Sequence, residues 1–569
     1  AAVIGAAATT GISVAGIPFY RDASGVNGSI YTHDVSGTDS TAQKNTAYGI
    51  NAMDAITTGD FNTAVGNQSA SALNTGALNT MVGYFSGNAV TEGGDNVLIG
   101  REAGSAITTG SYNTLVGGSA GKAFDTESNN TGFGYEALRS GSLAGAEYNV
   151  AIGNYSLDAL TSADNNTAVG YNAGTGLTSG DGGNVFIGTE AGAAITTAHH
   201  QVIIGNNAAS TGVGTNRGLV AIGRSAGNDK TSGDNCIFIG LDAGSNVTSG
   251  ADSIFIGATA GDGHDTEGNN LGIGRSALGG SINGGEYNVA IGNTSLDALT
   301  SGDNNTAIGH AAFSSLTSSS ENLAVGYQTG LLTTTGDYIT FVGSNAGYNN
   351  TTGANNTALG RFAYGGADTE SNNTAIGVNA LSGSIAGGEY NVAIGNYSLD
   401  ALTSADFNVA IGYNAGTALQ AGLGNVMIGY EAGKSLVAGT ENVMIGLLAG
   451  GNAISNGNVF VGFKAGETIT SGGANTAIGD TALDQATTEA HNLAIGYVSM
   501  SADVAGGEYN VAVGNYTLDA LTSGDHNTAI GYTAGSAITT SVKNVAVGGS
   551  ALDALSSGSG NNTAIGYNA

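Results

Sequence analysis

Asn305-Thr306-Ala307-Ile308-Gly309 is one copy of a short core that returns as Asn45-Thr46-Ala47-Tyr48-Gly49, Asn96-Val97-Leu98-Ile99-Gly100 and Asn562-Thr563-Ala564-Ile565-Gly566. With the Asn counted as position one, the Gly of position five occurs in all thirty-one copies, from Gly49, Gly66, Gly100 and Gly153 through Gly309 to Gly566. Of the thirty intervals, twenty-two are seventeen residues, six are eighteen, one is nineteen and one is sixteen. A short fixed period means a solenoid, whose single core grows along its axis. The expected fold is therefore all-β, a parallel β-solenoid or β-roll with about seventeen residues per coil.

Each position within the coil carries its own constraint. Position two is always Thr, Val, Ile or Leu, and position four is apolar in every copy except the first, which has Tyr48. Alternate residues of a strand share a face, so positions two and four are expected to face the coil interior. The Gly at position five suits a corner with positive φ or a close backbone approach. Position eight is restricted to Ala, Ser or Thr, and a second apolar position follows at twelve, as in Ile107, Leu160 and Leu521. Each coil is expected to hold two short strands and two turns. Asn fills position one in twenty-six of thirty-one copies. Stacked amides can bond along a ladder, and Asn tolerates turn conformations.

Position three is then expected to point outward, yet it is never charged. An outward uncharged row of this length calls for burial against identical chains around an axis. The candidate interface is Phe186, Ile203, Phe238, Phe255, Phe341, Met427, Met444 and Phe460. This makes the expected assembly an intimately packed homotrimer. The alternative places position three against a second layer of the same chain.

Organisation along the chain is simple. Residues 1–44 read as a degraded coil (Ala1 to Ala8) followed by a non-repeat insertion or junction with the only proline, Pro18. Residues 45–569 read as thirty-one continuous coils, the last incomplete. The chain starts without Met and stops within a repeat, as expected of a mature product or a piece of a longer protein. Four coils share nearly the same text, beginning at Asn149, Asn288, Asn391 and Asn510. Each follows a lengthened coil ending in Glu147-Tyr148, Glu286-Tyr287, Glu389-Tyr390 or Glu508-Tyr509. Duplication explains the shared text, and the longer corners are candidate protruding loops on one face.

Composition excludes several classes. Net charge is −31 with 13 Lys plus Arg, so no basic stripe exists for nucleic acid. The charge keeps a long uncharged-looking surface soluble. Gly is 98 of 569 without a three-residue period, which excludes collagen. The single Cys236 excludes an intrachain disulfide framework. No apolar run is long enough for a membrane helix, and the start of the chain lacks the basic residues of a signal peptide.

The text Asn-Thr/Val-Ala-Ile-Gly-Tyr-x-Ala-Gly resembles the head repeats of YadA-type trimeric autotransporter adhesins, which are left-handed parallel β-rolls wound as trimers. The longer coil with its Thr-Thr-Gly corner looks more like the repeats of bacteriophage tail fibres. The resemblance spans Asn45 to Ala569. It implies a homotrimer, an extracellular setting on a virion appendage or cell surface, other virion or surface proteins at the ends, and a host surface glycan as a further partner.

No chemistry stands out from the repeats. The seven histidines form no metal-ligand spacing. Catalytic, cofactor and metal residues are expected to be none, with divalent cations at the acidic corners the only candidate ligand. A polysaccharide-degrading β-helix needs one unique carboxylate cluster, whereas Asp158, Asp297, Asp400 and Asp519 recur with the repeat. Tyr at position six, as in Tyr84, Tyr171 and Tyr413, shields a corner or stacks on sugars. Ice binding ranks last, because Thr at position two is expected to face inward. The expected function is a structural fibre shaft, with a bacterial surface adhesin as the alternative and an enzyme as a distant third.

Overall fold

The computed structural model describes residues 12–14, 17–21, 29–31, 41–139, 145–212, 214–558 and 560–569. The degraded coil expected at Ala1 to Ala8 lies outside them. The chain divides into two compact units, Ala1–Tyr287 and Asn288–Ala569. Each is a parallel β-solenoid with one short strand per coil, and no helix occurs among the described residues.

The strands are three residues long and cover positions two to four, as in Thr63–Val65, Val97–Ile99 and Val443–Ile445. Neighbouring coils pair in parallel and in register, for example Val97 with Thr114, Leu98 with Leu115 and Ile99 with Val116. The second strand expected in every coil is absent from most. It appears at Ser179–Gly182 and Thr197–His199, which pair with each other. Elsewhere the return path is a series of turns whose backbone still bonds to neighbouring coils.

Left-handed backbone makes this possible. Position seven has positive φ with ordinary side chains, such as Asn51 at 55°, Gln68 at 54° and Phe362 at 55°. The residue before position one behaves alike, as in Phe61 at 59° and Tyr148 at 58°. Each such residue costs roughly 1–2 kcal/mol. In return, successive N–H groups reach coils on opposite sides: Gln68 donates back to Ile50 at 2.8 Å, and Gly87 donates forward to Ala103 at 2.9 Å. The corner glycines Gly49, Gly66, Gly100, Gly153, Gly309 and Gly566 have φ between 136° and 145°. A Cβ on Gly49 would lie 2.2 Å from the Gly66 carbonyl oxygen, so the corner has neither the conformation nor the room for a side chain.

The facing of the strand is the reverse of the sequence expectation. Position three is the buried one, and positions two and four point out, as at Val443–Ile445 and Ile254–Ile256. Phe186, Ile203, Phe238, Phe255, Phe341, Met427, Met444 and Phe460 are all fully buried in the chain's own core. They are core residues and not a trimer interface. The reason is the Asn at position one. It is also buried, so strand alternation puts one and three inside and two and four outside.

Where consecutive coils carry it, that Asn forms a ladder. The Asn62 Oδ1 accepts the backbone N–H of Asn79 at 2.9 Å and its Nδ2 at 3.0 Å, while Asn79 Nδ2 also donates to the Gly93 carbonyl at 2.9 Å. In the first unit the ladder starts before the first full repeat. Ser29 takes the Asn place and accepts the Asn45 N–H at 3.0 Å. Strand β3 (Ile30–Tyr31) pairs in parallel with β4 (Thr46–Tyr48) and antiparallel with β2 (Ile17–Arg21), which forms a hairpin with β1 (Ile12–Val14). The segment read as a non-repeat junction therefore contains a partial coil and a hairpin laid over its edge.

Core volume is balanced within each coil between positions three and nine. Position three is large in eleven coils, and position nine is then Gly, or Ala once, at Ala209. Position nine is large in thirteen coils, including Leu157, Leu296, Phe313 and Tyr364, and position three is then Ala or Gly in every one. The two sites share one space. A Cβ on Gly261 would fall 2.4 Å from the Phe255 ring, and one on Gly347 would fall 2.2 Å from Phe341. Interiors tolerate neither overfilling nor a void.

This exchange is testable by hydrogen exchange over residues 253–287. Phe255→Ala should cost about 3–5 kcal/mol of local protection, and Gly261→Leu should also destabilise by overfilling. The double variant, which copies the Ala290 and Leu296 pairing, should be more protected than either single variant. A double variant no better than the worse single one contradicts a shared compartment.

Candidate functional site

The outward strand positions make two rows per unit. Position two carries Thr, Val, Ile or Leu, and position four carries Val, Ile, Leu or Phe after Tyr48. Most are of intermediate exposure, and the more open ones at position four include Ile152 at 42%, Leu359 at 46% and Ile530 at 41%. Neither row contains a charge in any coil. Soluble monomers rarely expose contiguous apolar patches beyond a few hundred Å². This strand face presents a long uncharged surface, apolar along position four.

Aromatic rings line the two corners that flank the strand face. Around positions six and seven, Tyr155 sits edge-on between Tyr135 and Tyr171 with ring centroids 5.5 and 6.0 Å apart. Tyr516 sits likewise between Tyr497 and Tyr532. On the corner before position one, Tyr509 stacks between His491 at 4.8 Å and His526 at 5.1 Å, and Tyr390 stacks on Phe407 at 5.3 Å.

The lengthened corners place Tyr148, Tyr287, Tyr390 and Tyr509 at 50–57% exposure. Glu147, Glu286, Glu389 and Glu508 beside them are half-buried. Glu389 and Glu508 donate their N–H groups to the Asp406 and Asp525 carboxylates at 2.8 and 2.9 Å. The extra residues of the first such corner, 140–144, lie outside the described residues.

Each lengthened corner is held from below by a buried glutamate that sequence reasoning missed. Glu127, Glu267, Glu370 and Glu489 are at most 4% exposed. Glu489 accepts the N–H groups of Thr487 at 2.7 Å, Thr488 at 2.8 Å and, across to the lengthened corner, Gly506 at 2.8 Å. Glu370 reaches Gly387 and Glu267 reaches Gly284 in the same way, at 2.8 and 2.9 Å. The signal was in the text as Thr126-Glu127, Thr266-Glu267, Thr369-Glu370 and Thr488-Glu489, one coil ahead of each Glu-Tyr pair. Burial opposes the Glu489 charge, but the converging N–H donors outweigh it and hold the carboxyl below its ordinary value of 4.5.

The recurring aspartates do not gather into one cluster. Burial raises the Asp158, Asp297, Asp400 and Asp519 carboxyls. Asp158 and Asp400 accept bonds from Thr175 and Thr417, and each of the four sits in a separate coil. Burial pushes His264 down to about 4, and neither ring nitrogen has a partner. Lys230 is fully buried and donates to the Gly250 carbonyl, which Cys236 Sγ also approaches, at 3.3 Å. Among the described residues, no group of three His, Cys, Asp or Glu side chains could hold a metal ion. No helix among them is long and apolar enough to cross a membrane.

No protein-family model matches the chain, and no curated protein matches it in sequence.

Two of the buried glutamates, Glu267 and Glu489, carry a pH prediction, since both carboxyls are held below their ordinary value. Because the folded pKa is depressed, their stabilisation is fully present above the unfolded value near 4.5 and is lost as pH falls through the folded value. Glu489→Gln should raise exchange at Thr487, Thr488 and Gly506 by about 10- to 100-fold at pH 7, the equivalent of losing charge-assisted bonds. Acidifying the native chain should release the same amides. Unchanged exchange in the variant contradicts the anchoring role.

Proposed function

We propose that this chain is a structural fibre element: the shaft of a virion appendage of the tail-fibre kind, assembled as a homotrimer and holding a receptor-binding tip away from the particle. The supporting observation is the pair of uncharged rows at positions two and four, the first mixing Thr with aliphatic residues and the second apolar. They recur in both units and stay partly exposed among the described residues. The sequence expectation of self-association is kept, and its contact face moves from position three to these two rows.

Three chains suit a face of this width. A three-residue strand offers a narrow ridge with two rows of side chains. Three such ridges packed around a common axis would take both rows out of water. Identical chains in register would stack like on like along the axis. The acidic surface, −31 overall, keeps such assemblies apart from one another. No catalysis is assigned.

A cell-surface adhesin with the same trimeric core is the second reading, favoured by the exposed aromatic corners. Ice binding loses the argument first raised against it, because Thr at position two does face outward. It still lacks a uniform Thr array: eighteen of thirty-one coils carry Val, Ile or Leu there.

Sedimentation equilibrium of the purified chain should give three times the 55.5 kDa chain mass. Substituting outward residues, as in Ile239→Asp with Ile256→Asp, should yield monomers whose circular dichroism is unchanged. Phe255→Asp, one residue away, should instead unfold its coil by burying an unpaired charge. A wild-type chain that is monomeric at micromolar concentration overturns the proposal.

A further inference from the structure

The four duplicated blocks are not equal. In the second unit, residues Tyr348, Asn349, Phe362, Gly365, Gly366, Asn379 and Ser382 line a surface notch of about 340 Å³. They come from positions seven, ten and eleven of three successive coils, away from the outward strand rows. The notch exists because Gly365-Gly366 occupies positions ten and eleven of the middle coil. The equivalent coils of the other three blocks carry Lys122-Ala123, Asp262-Gly263 and Asp484-Gln485. A side chain at position ten fills the space that Gly365 leaves open. Gly366 is also required by the backbone, since a Cβ there would sit 2.1 Å from the Gly383 carbonyl oxygen.

The lining has the makeup of a ligand site: aromatic surface with a few unspent polar groups. Phe362 is held at φ 55°, a conformation that other coils give to Asn at the same position, as at Asn345 and Asn379. The Arg361 guanidinium lies 4.9 Å from the centre of its ring. Tyr348 and Phe362 are half-exposed. Among the described residues, the Tyr348 hydroxyl, the Asn349 and Asn379 amides and the Ser382 hydroxyl make no hydrogen bond to the protein. None of the seven lining residues is charged, so the site matches a neutral ligand with one apolar face and a rim of hydroxyls.

We propose that this notch binds a neutral pyranose, as a terminal or branching unit of a glycan. The axial C–H face of the ring stacks on Phe362 or Tyr348. Its hydroxyls exchange donors and acceptors with the two amides and Ser382. Lys122, Asp262 and Asp484 stand in place of Gly365 in the other blocks, so the site is expected in this block and not in the other three. The site does not depend on the fibre assignment, because it needs no contact between chains.

Ligand-observed NMR of the full chain with methyl α-glucoside, methyl α-galactoside, methyl α-mannoside and N-acetylglucosamine tests the site. At least one should bind in the millimolar range. Gly365→Asp, which copies Asp262 and Asp484, should weaken that binding by about tenfold or more, the equivalent of about 1.4 kcal/mol. Ser105→Asp, the same charge at position ten of a coil without the notch, should leave binding unchanged. Phe362→Asn, which suits the left-handed backbone, should also lose binding and decides the matter if Gly365→Asp fails to fold. No binding by any of the four sugars, or equal binding by Phe362→Asn and wild type, overturns the proposal.

Discussion

The buried asparagine at position one is the constraint on which the remaining structure depends. Its amide has to satisfy the backbone N–H of the next Asn, the next side-chain amide and a carbonyl of its own coil, as Asn79 does with Asn96 and Gly93. An unpaired buried amide costs about 1–3 kcal/mol, so each rung is tied to the rung above. Once position one is inside, pleating leaves no choice for the next three residues. The ladder is interrupted at Leu219, Cys236 and Ser253 in the first unit and at Ile339 in the second. Strand pairing continues through these places, as between Ile237 and Ile254. The ladder thus sets the facing of the strand, and the backbone bonds maintain it where the amide is missing.

With that facing fixed, the core becomes a problem of constant volume in a very thin coil. Phe at position three is accommodated by Gly at nine, and Leu at nine by Ala at three. Where both are small, neighbouring coils lean in: a Cβ at Gly174 would meet Leu157 on one side and Phe186 on the other. Left-handed steps at seven and nine supply the tight return path, at a local conformational cost offset by inter-coil hydrogen bonds. Position nine shows the economy most clearly. It is left-handed whether it holds Gly261 at 60° or Leu157 at 48°, so the backbone stays constant while the core exchanges one large side chain for another.

Much of this was legible in the sequence. The period gave the solenoid, the Asn column gave the ladder, and position five gave the corner. The facing of the strand was misread because β-branched residues at two and four look more like a core than a position that ranges from Gly132 to Phe255. That range only makes sense beside position nine, where the compensating residues stand six places along. The sequence held that covariation within its own repeats, but it is invisible until one knows that the two positions share a compartment. The glutamates below the lengthened corners were missed for a related reason. A charged residue in a corner motif reads as solvated, and only the convergence of N–H groups on Glu267 and Glu489 explains their burial. The notch at Gly365-Gly366 depends on missing side chains, which a search for chemical groups passes over.

The outcome of this facing is a molecule whose interior is closed and whose apolar surplus lies on the strand face. The proposed self-association uses that face. Single cysteines introduced in a Cys236→Ser background test this most directly, by comparing Phe255→Cys with Ile256→Cys under mild oxidation. The account predicts that the thiol at 256 forms covalent links between chains, while the thiol at 255 stays unreactive until the chain is denatured. Links through 255, or free reaction of that thiol in the folded protein, would contradict it.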